Sequence, residues 1–280
     1  MKDDIGDIRD FYNCSVTMED GRLQRHQLEY DITLRFFDKY LPPSARILEI
    51  GAATGAYTVH LARRGHSICA VDLSANLIEK CEEQVNSAGL QKSVSFAVAD
   101  ARDLSGIAES DYDAVLLMGP LYHLVEESDR LLVLTQSMSR LKPGGLVFSS
   151  MISRFGIMGS LLKDYPHWIE DQAEVWSLVE KGREPEDAPK GGFRGYFSTL
   201  SETRLLHESA GLQTLVFAGA EPAISADDES YNQLEGKRRE LWLDLFFHIS
   251  TEPSMVASSR HLLYIGRKPD RQRRASDTAE

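Results

Sequence analysis

Arg46-Ile47-Leu48-Glu49-Ile50-Gly51-Ala52-Ala53-Thr54-Gly55 opens on a run, Ile47 to Ile50, apolar enough for a buried strand, and breaks at once into a glycine turn. A helical segment follows from Ala56 to Arg64, where Gly65 stops it, and a second apolar run, Ser67 to Val71, ends at Asp72. Strand, glycine turn, helix, strand and acid make up a parallel crossover unit of the nucleotide-binding kind. Gly51 permits the tight turn, and Gly55 lets the helix pack close against the first strand. Asp72 stands where a carboxylate accepts hydrogen bonds from a ribose. The turn lacks the Gly-Lys-Ser/Thr ending of a phosphate-binding loop.

Glu49 to Gly55 resembles the first motif of the Rossmann-like, class I S-adenosylmethionine-dependent methyltransferases. Ala53 departs from that pattern at a position where most of the family has glycine, and its methyl group narrows the approach of backbone to ligand. Glu49 argues against a dinucleotide, because an acid at the end of the first strand repels a pyrophosphate; it suits a ligand with an amino group. The resemblance implies an α/β fold: a doubly wound, seven-stranded, mostly parallel sheet with an antiparallel last strand, plus helical cover insertions. It further implies S-adenosyl-L-methionine as cofactor. The cofactor site would then draw on Tyr12, Arg22, Glu49, Gly51, Ala53, Gly55, Asp72, Leu73, Asp100, Ala101, Gly119 and Leu121.

Composition narrows the partners. The 280 residues carry a formal charge of −12, which supplies no counterion-release term for nucleic acid. Three cysteines, Cys14, Cys69 and Cys81, form no Cys-x-x-Cys pair, which fits a reducing, cytoplasmic setting. The polar, acidic start is unlike a secretory signal, and no apolar run is long enough to span a membrane. Histidines and cysteines show no metal-ligand spacing, so no metal is expected.

Leu23, Tyr30, Leu34, Phe37 and Leu41 recur at helical spacing up to Pro42-Pro43, so residues 1–43 read as an N-terminal helical lid. Residues 44–154 read as the cofactor-binding core. Within it Ser74 caps a helix bearing Leu77, Ile78, Cys81 and Val85, Val94 to Val98 is a third strand ending near Asp100, and Tyr112 to Met118 is a fourth. Gly119-Pro120-Leu121-Tyr122-His123-Leu124 then lies beyond a strand's carboxyl end, where doubly wound sheets bind ligands. His123 is the candidate proton acceptor or substrate contact, and Tyr122 either shapes the pocket or meets the cofactor's sulfonium with its ring face. Lys142-Pro143-Gly144-Gly145 turns into strand five, Leu146 to Met151.

Residues 155–198 break the alternation and read as a helical cover, with a helix near Gly156 to Lys163 and another from Trp168 to Lys181. Residues 199–268 complete the core. Thr199-Leu200-Ser201-Glu202 is a capping box, Leu212 to Ala218 and Arg260 to Gly266 are the last strands, and residues 221–253 are a helical insertion. Residues 269–280 read as a disordered tail. Tyr165, Trp168, Trp176, Phe193, Tyr196 and Trp242 are expected to line an acceptor pocket under the cover.

The function expected is in-line methyl transfer to a small-molecule acceptor by a monomer or homodimer, with no nucleic acid and no membrane as partner. The alternatives are attack on the cofactor's aminobutyrate chain (including ring closure), a nucleic-acid or protein methyltransferase, and a binding protein without turnover.

Overall fold

The computed structural model describes residues 4–186 and 194–270. Four helices open the chain: α1 (Gly6–Cys14), α2 (Val16–Asp20), α3 (Arg22–Arg25) and α4 (Gln27–Tyr40). The core follows as β1 (Arg46–Ile50), α5 (Ala56–Arg63), β2 (Ser67–Asp72), α6 (Ala75–Ser87), β3 (Val94–Val98), β4 (Tyr112–Leu117), α7 (Pro120–His123), α8 (Glu127–Arg140) and β5 (Leu141–Ser153). Next come α9 (Met158–Asp164), a 3-10 turn (Pro166–Glu170), α10 (Gln172–Lys181), β6 (Phe197–Ser198), α11 (Leu200–Ser209) and β7 (Gln213–Gly219). The chain closes with α12 (Asp228–Asn232), α13 (Gly236–Ile249), α14 (Pro253–Ser258) and β8 (His261–Arg267).

The sheet runs β3-β2-β1-β4-β5-β8-β7. Strands β1 to β5 pair in parallel, while β8 is antiparallel to both β5 and β7. The seven expected strands are present, and a two-residue strand, β6, adds itself to the end of β5 through Ile152 and Phe197. Such a strand is too short to leave a pattern in sequence.

Alternate strand residues feed two apolar layers. Ile47, Ala70, Leu116 and Phe148 face α4, α5 and α13, whereas Leu48, Val71, Val115 and Val147 face α8 and α11. Burial on both faces is why these strands read as continuous apolar runs. Cys69 and Cys81 are free and buried. Strand order reverses at β1, whose neighbours are β2 and β4, so the loops after Ile50 and Leu117 part there and leave a crevice at the sheet's carboxyl edge.

Some boundaries differ from expectation. Trp168 lies in the 3-10 turn, because the Asp171 side chain caps α10 through the Glu174 N–H and starts that helix later. The helical insertion expected over residues 221–253 holds two helices, α12 and α13, separated where Gly236 takes a φ of 53°. Lys268 is pinned by the carbonyls of Met138 and Leu141, at 2.7 and 2.6 Å; residues 271–280 lie outside the described residues. Among the described residues no helix is long and apolar enough to cross a membrane.

Candidate active site

The glycine turn brings backbone to the crevice. Gly51 adopts a φ of 81°, and a Cβ there would stand 2.7 Å from Pro120 Cδ, so this glycine is where the β1 and β4 loops meet. Ala53 holds a left-handed φ of 48° that glycine would adopt without strain. Gly55, at the N-cap of α5, has a φ of 91°, and a Cβ there would lie 2.6 Å from Cys81 Sγ. The close packing expected of Gly55 is therefore against α6 rather than the first strand.

Asp72 is fixed beneath this turn. Its Oδ2 accepts from the Ala53 N–H at 3.0 Å and its Oδ1 from the Ser74 N–H at 2.9 Å. Each oxygen retains a lone pair for a further donor. Burial pushes the carboxyl up to about 6, against the pull of those backbone bonds. Asp100 also lines the cleft, clasped by the Arg102 fork at 2.8–3.1 Å, and Arg102 in turn meets Asp129 at 2.6 Å.

Asp72, Leu73, Asp100, Ala101, Gly119, Tyr122 and His123 line a cleft of about 90 Å³. A second recess of about 110 Å³, bounded by Glu19, Arg22 and Tyr57, shares Gly51, Ala53 and Met118 with the first. The roof is the N-terminal segment: Ile5, Ile8 and Tyr12 face the cleft, and Glu19 borders both spaces. Asn13 ties the roof to α6, accepting from the Ser74 hydroxyl at 2.7 Å and from Asn76 Nδ2 at 2.9 Å. Arg194 ties it from the other side through Asp7, at 3.3 Å.

His123 is buried with both ring nitrogens engaged. Nδ1 lies 3.0 Å from the Arg194 carbonyl and therefore donates to it; Nε2, 2.7 Å from the Tyr12 hydroxyl, is then the acceptor. Burial pushes the imidazole down to about 4, so it is neutral near pH 7. Burial, with Tyr122 next, raises the Tyr12 phenol well above its ordinary value. Burial also raises Tyr122, whose ring centroid is 4.6 Å from that of His123.

The remaining expected site residues are placed differently. Glu49 is fully buried on the far side of β1, where Oε2 accepts from Thr58 Oγ1 at 2.6 Å and Oε1 has no partner. Burial pushes its carboxyl up to about 8, so the charged acid facing a ligand is replaced by a neutral one inside the packing. Gly55 and Leu121 are likewise buried away from both cleft walls. Arg22 borders the second recess with its guanidinium already spanned by Glu29, at 2.9 and 3.0 Å. Burial alone would raise Glu29, but Arg22 and His261 outweigh it and hold its carboxyl far below the usual range.

Among the described residues, the aromatics expected of the cover do not line the cleft. Tyr165, Trp176 and Trp242 are 66%, 55% and 47% exposed, and Phe193 lies outside the described residues. Trp168 packs with Tyr122 against Ile152, Leu178 and Phe197, and Tyr196 stacks on Arg130. Ile5, Ile8, Glu19 and Leu124 are wall residues that the sequence reading passed over. The signal was present for α1, where Ile5, Ile8 and Tyr12 fall at helical spacing.

Residues 47–145 match a family model described as a methyltransferase domain. The tRNA 5-carboxymethoxyuridine methyltransferase of Escherichia coli K12 is 28% identical over 140 residues, covering 49% of this chain and 51% of that one. The ubiquinone biosynthesis O-methyltransferase of Xanthomonas campestris pv. campestris B100 is 31% identical over 112 residues, covering 40% and 45%. The chain thus spans about half the length of the curated relatives it matches. The crystal structure of an S-adenosylmethionine-dependent methyltransferase from Methanosarcina mazei shares the fold at a TM-score of 0.56 and 18% identity, over 84% of this chain and 97% of that one.

S-adenosylmethionine is the cofactor of such a domain, and the residues present fit it. Asp72 has acceptor capacity left in the cleft, Ala99 and Ala101 leave room beside Leu73 for a flat base, and Gly51 brings bare backbone to the junction of the two recesses.

Proposed function

We propose that this chain, whose residues 47–145 form a class I S-adenosylmethionine-dependent methyltransferase domain, transfers a methyl group to a nucleophile on a small molecule. When bound, the cofactor supplies a methyl carbon activated by positively charged sulfur. Asp72 would hold the ribose, Leu73 and Ala101 would flank the base, and the turn at Gly51 to Ala53 would carry the amino-acid end toward Glu19 and Arg22. The chain's main task is then to place a nucleophile in line, at about 3–3.5 Å, and to exclude water.

One observation carries the small-molecule reading: the roof is latched over the cleft by the bond from Tyr12 to His123. A roofed recess admits a compact acceptor more readily than a folded RNA. The Tyr12 oxygen, having given its proton to the His123 bond, still accepts, so an acceptor hydroxyl could pass its proton to Tyr12 as Tyr12 passes its own to His123. A carboxylate acceptor would need no such transfer.

A nucleic-acid acceptor is the second reading, suggested by the tRNA-modifying relative and opposed by the formal charge of −12. Incubating the full chain with methyl-labelled cofactor and separated small-molecule and RNA fractions of a cell extract decides between them. Label in small molecules supports the proposal; label only in RNA overturns it. Methylthioadenosine in place of S-adenosylhomocysteine would instead mark attack on the aminobutyrate chain. Asp72→Ala should weaken S-adenosylhomocysteine binding by about 1–3 kcal/mol, read by calorimetry.

A further inference from the structure

Four arginines are buried among the described residues: Arg102, Arg130, Arg154 and Arg260. Three have carboxylate partners: Arg102 with Asp100 and Asp129, Arg154 with Glu202, and Arg260 with Glu221 and Asp228. Arg130, the least exposed at 4%, has no carboxylate at ion-pair distance, and its sequence neighbour Asp129 is taken by Arg102. Its Nη1 donates to the carbonyls of Leu124 and Val125 at 2.6 and 2.9 Å. Nε is shielded from water without a partner, and no hydrogen bond from Nη2 accompanies those two. A buried charge left in this state is normally expelled or paired.

Arg130 opens onto a cavity of about 190 Å³ between α8 and α11, separate from the cofactor cleft. Its guanidinium lies 3.6 Å from the centre of the Tyr196 ring, which fixes one face. Met151 and Leu206 supply apolar wall, and Ser198 and Thr203 supply hydroxyls bonded to each other at 2.7 Å. Burial pushes the Arg130 pKa down, against the pull of Tyr196, Glu127 and Glu202.

We propose that this cavity is an anion-binding site for a monocarboxylate with a short apolar tail. Arg154 already neutralises Glu202, and Glu127 on the wall offsets Arg130, so a dianion is disfavoured and a monoanion would have to be held by the Arg130 guanidinium itself. Nη2, the guanidinium nitrogen neither shielded nor already donating, would donate to one carboxylate oxygen, and the Met151–Leu206 wall would accept the tail. The ligand would stand one backbone layer behind the cleft, since Arg130 holds the Leu124 and Val125 carbonyls and the Tyr196 N–H donates to the Tyr122 carbonyl at 2.6 Å.

Butyrate is a suitable probe, titrated into the full chain at constant ionic strength and followed by saturation-transfer NMR. Saturable binding is expected, weakened at least tenfold both in Arg130→Met and in Ser209→Trp, which obstructs the cavity wall while leaving the guanidinium intact. Unchanged S-adenosylhomocysteine affinity in Ser209→Trp would show that the cofactor cleft is undisturbed. The site is overturned if butyrate does not saturate the wild-type chain, or if it binds Ser209→Trp as it binds wild type. It is equally overturned if chloride or phosphate competes on equal terms, which would mark an adventitious ion only. Failure of the methyl-transfer reading would leave each of these outcomes readable.

Discussion

The hydroxyl of Tyr12 donates to Nε2 of His123 at 2.7 Å, joining the roof helix to the loop after β4 across 111 positions of sequence. The bond needs the neutral imidazole, and the Arg194 carbonyl selects the tautomer with Nε2 unprotonated. Roof closure and the protonation state of the candidate base are therefore one structural fact.

Tyr12→Phe removes the hydroxyl that donates to the buried Nε2 of His123. The cost should be about 1–3 kcal/mol, concentrated in local opening of α1 rather than in global unfolding. Hydrogen exchange of residues 5–20 should accelerate while that of β1 and β4 stays as in wild type. Equal protection of α1 in both proteins would show that Asn13 and Arg194 hold the roof unaided.

His207 is a second buried neutral histidine. Its Nδ1 donates to the Thr203 carbonyl at 2.7 Å, its Nε2 accepts from the Ser149 hydroxyl at 2.6 Å, and burial pushes it down to about 4. Because the unfolded imidazole takes a proton near pH 6.5, stability is whole above that value and is lost as pH falls toward 4. At pH 5 the loss from such a group is about 2 kcal/mol. Glu49 and Asp72, both raised by burial, act with the opposite sign over this interval, so the contribution must be read as a difference. His207→Gln should therefore lose less stability than wild type between pH 7 and pH 5, by about 2 kcal/mol in urea melts. Parallel pH profiles would place the titrating group elsewhere.

Gly55→Ala tests the turn. A left-handed φ of 91° and a Cβ 2.6 Å from Cys81 Sγ act together, and the loss should be about 2–4 kcal/mol. Adding Cys81→Ala should recover the steric part and leave the backbone part, about 1–2 kcal/mol. Full recovery would mean that the turn relaxes to a negative φ.

The order of β1, α5, β2 and α6 was legible because each feature was local. Continuous apolar runs marked strands covered on both faces, Ser74 does cap α6, and Thr199 with Glu202 does form the capping box of α11. What faces the cleft was not local. Tyr231, Leu234, Leu241, Trp242, Leu245, Phe246 and Ile249 have the spacing of an apolar stripe; Tyr231, Leu234, Phe246 and Ile249 do pack on the core, whereas Leu241, Trp242 and Leu245 are exposed. The roof over the cleft depends on residues more than a hundred positions apart. Glu49 was placed by motif at the right strand end, but the side of β1 to which it points is set by its pleat against Thr58.

Glu49 supplies the sharpest test. Burial pushes its carboxyl up to about 8, whereas the unfolded chain holds it near 4.3. The protonated form is thus the native one at neutral pH, and the associated stability is whole below about 4.3 and lost as pH rises toward 8. At pH 7 keeping that proton costs about 3–4 kcal/mol, which a neutral side chain of the same shape avoids. The Gln carbonyl can still accept from Thr58, but its amide brings a donor into a place where Oε1 has no partner, at about 1–2 kcal/mol. Glu49→Gln should therefore be more stable than wild type at pH 7 by about 1–2 kcal/mol, with the advantage shrinking and then reversing toward pH 4. A variant less stable at pH 7 would show Glu49 ionised, with a partner cation or water meeting Oε1. Cofactor affinity then separates packing from ligand recognition. If the carboxyl belongs to the packing between β1 and α5, S-adenosylhomocysteine should bind the variant as it binds wild type. If the acid reaches the ligand's amino group through a water or a shift of the turn, affinity should fall at least tenfold although the fold is firmer, and the fall should be steepest above pH 8, where the wild-type carboxyl is charged.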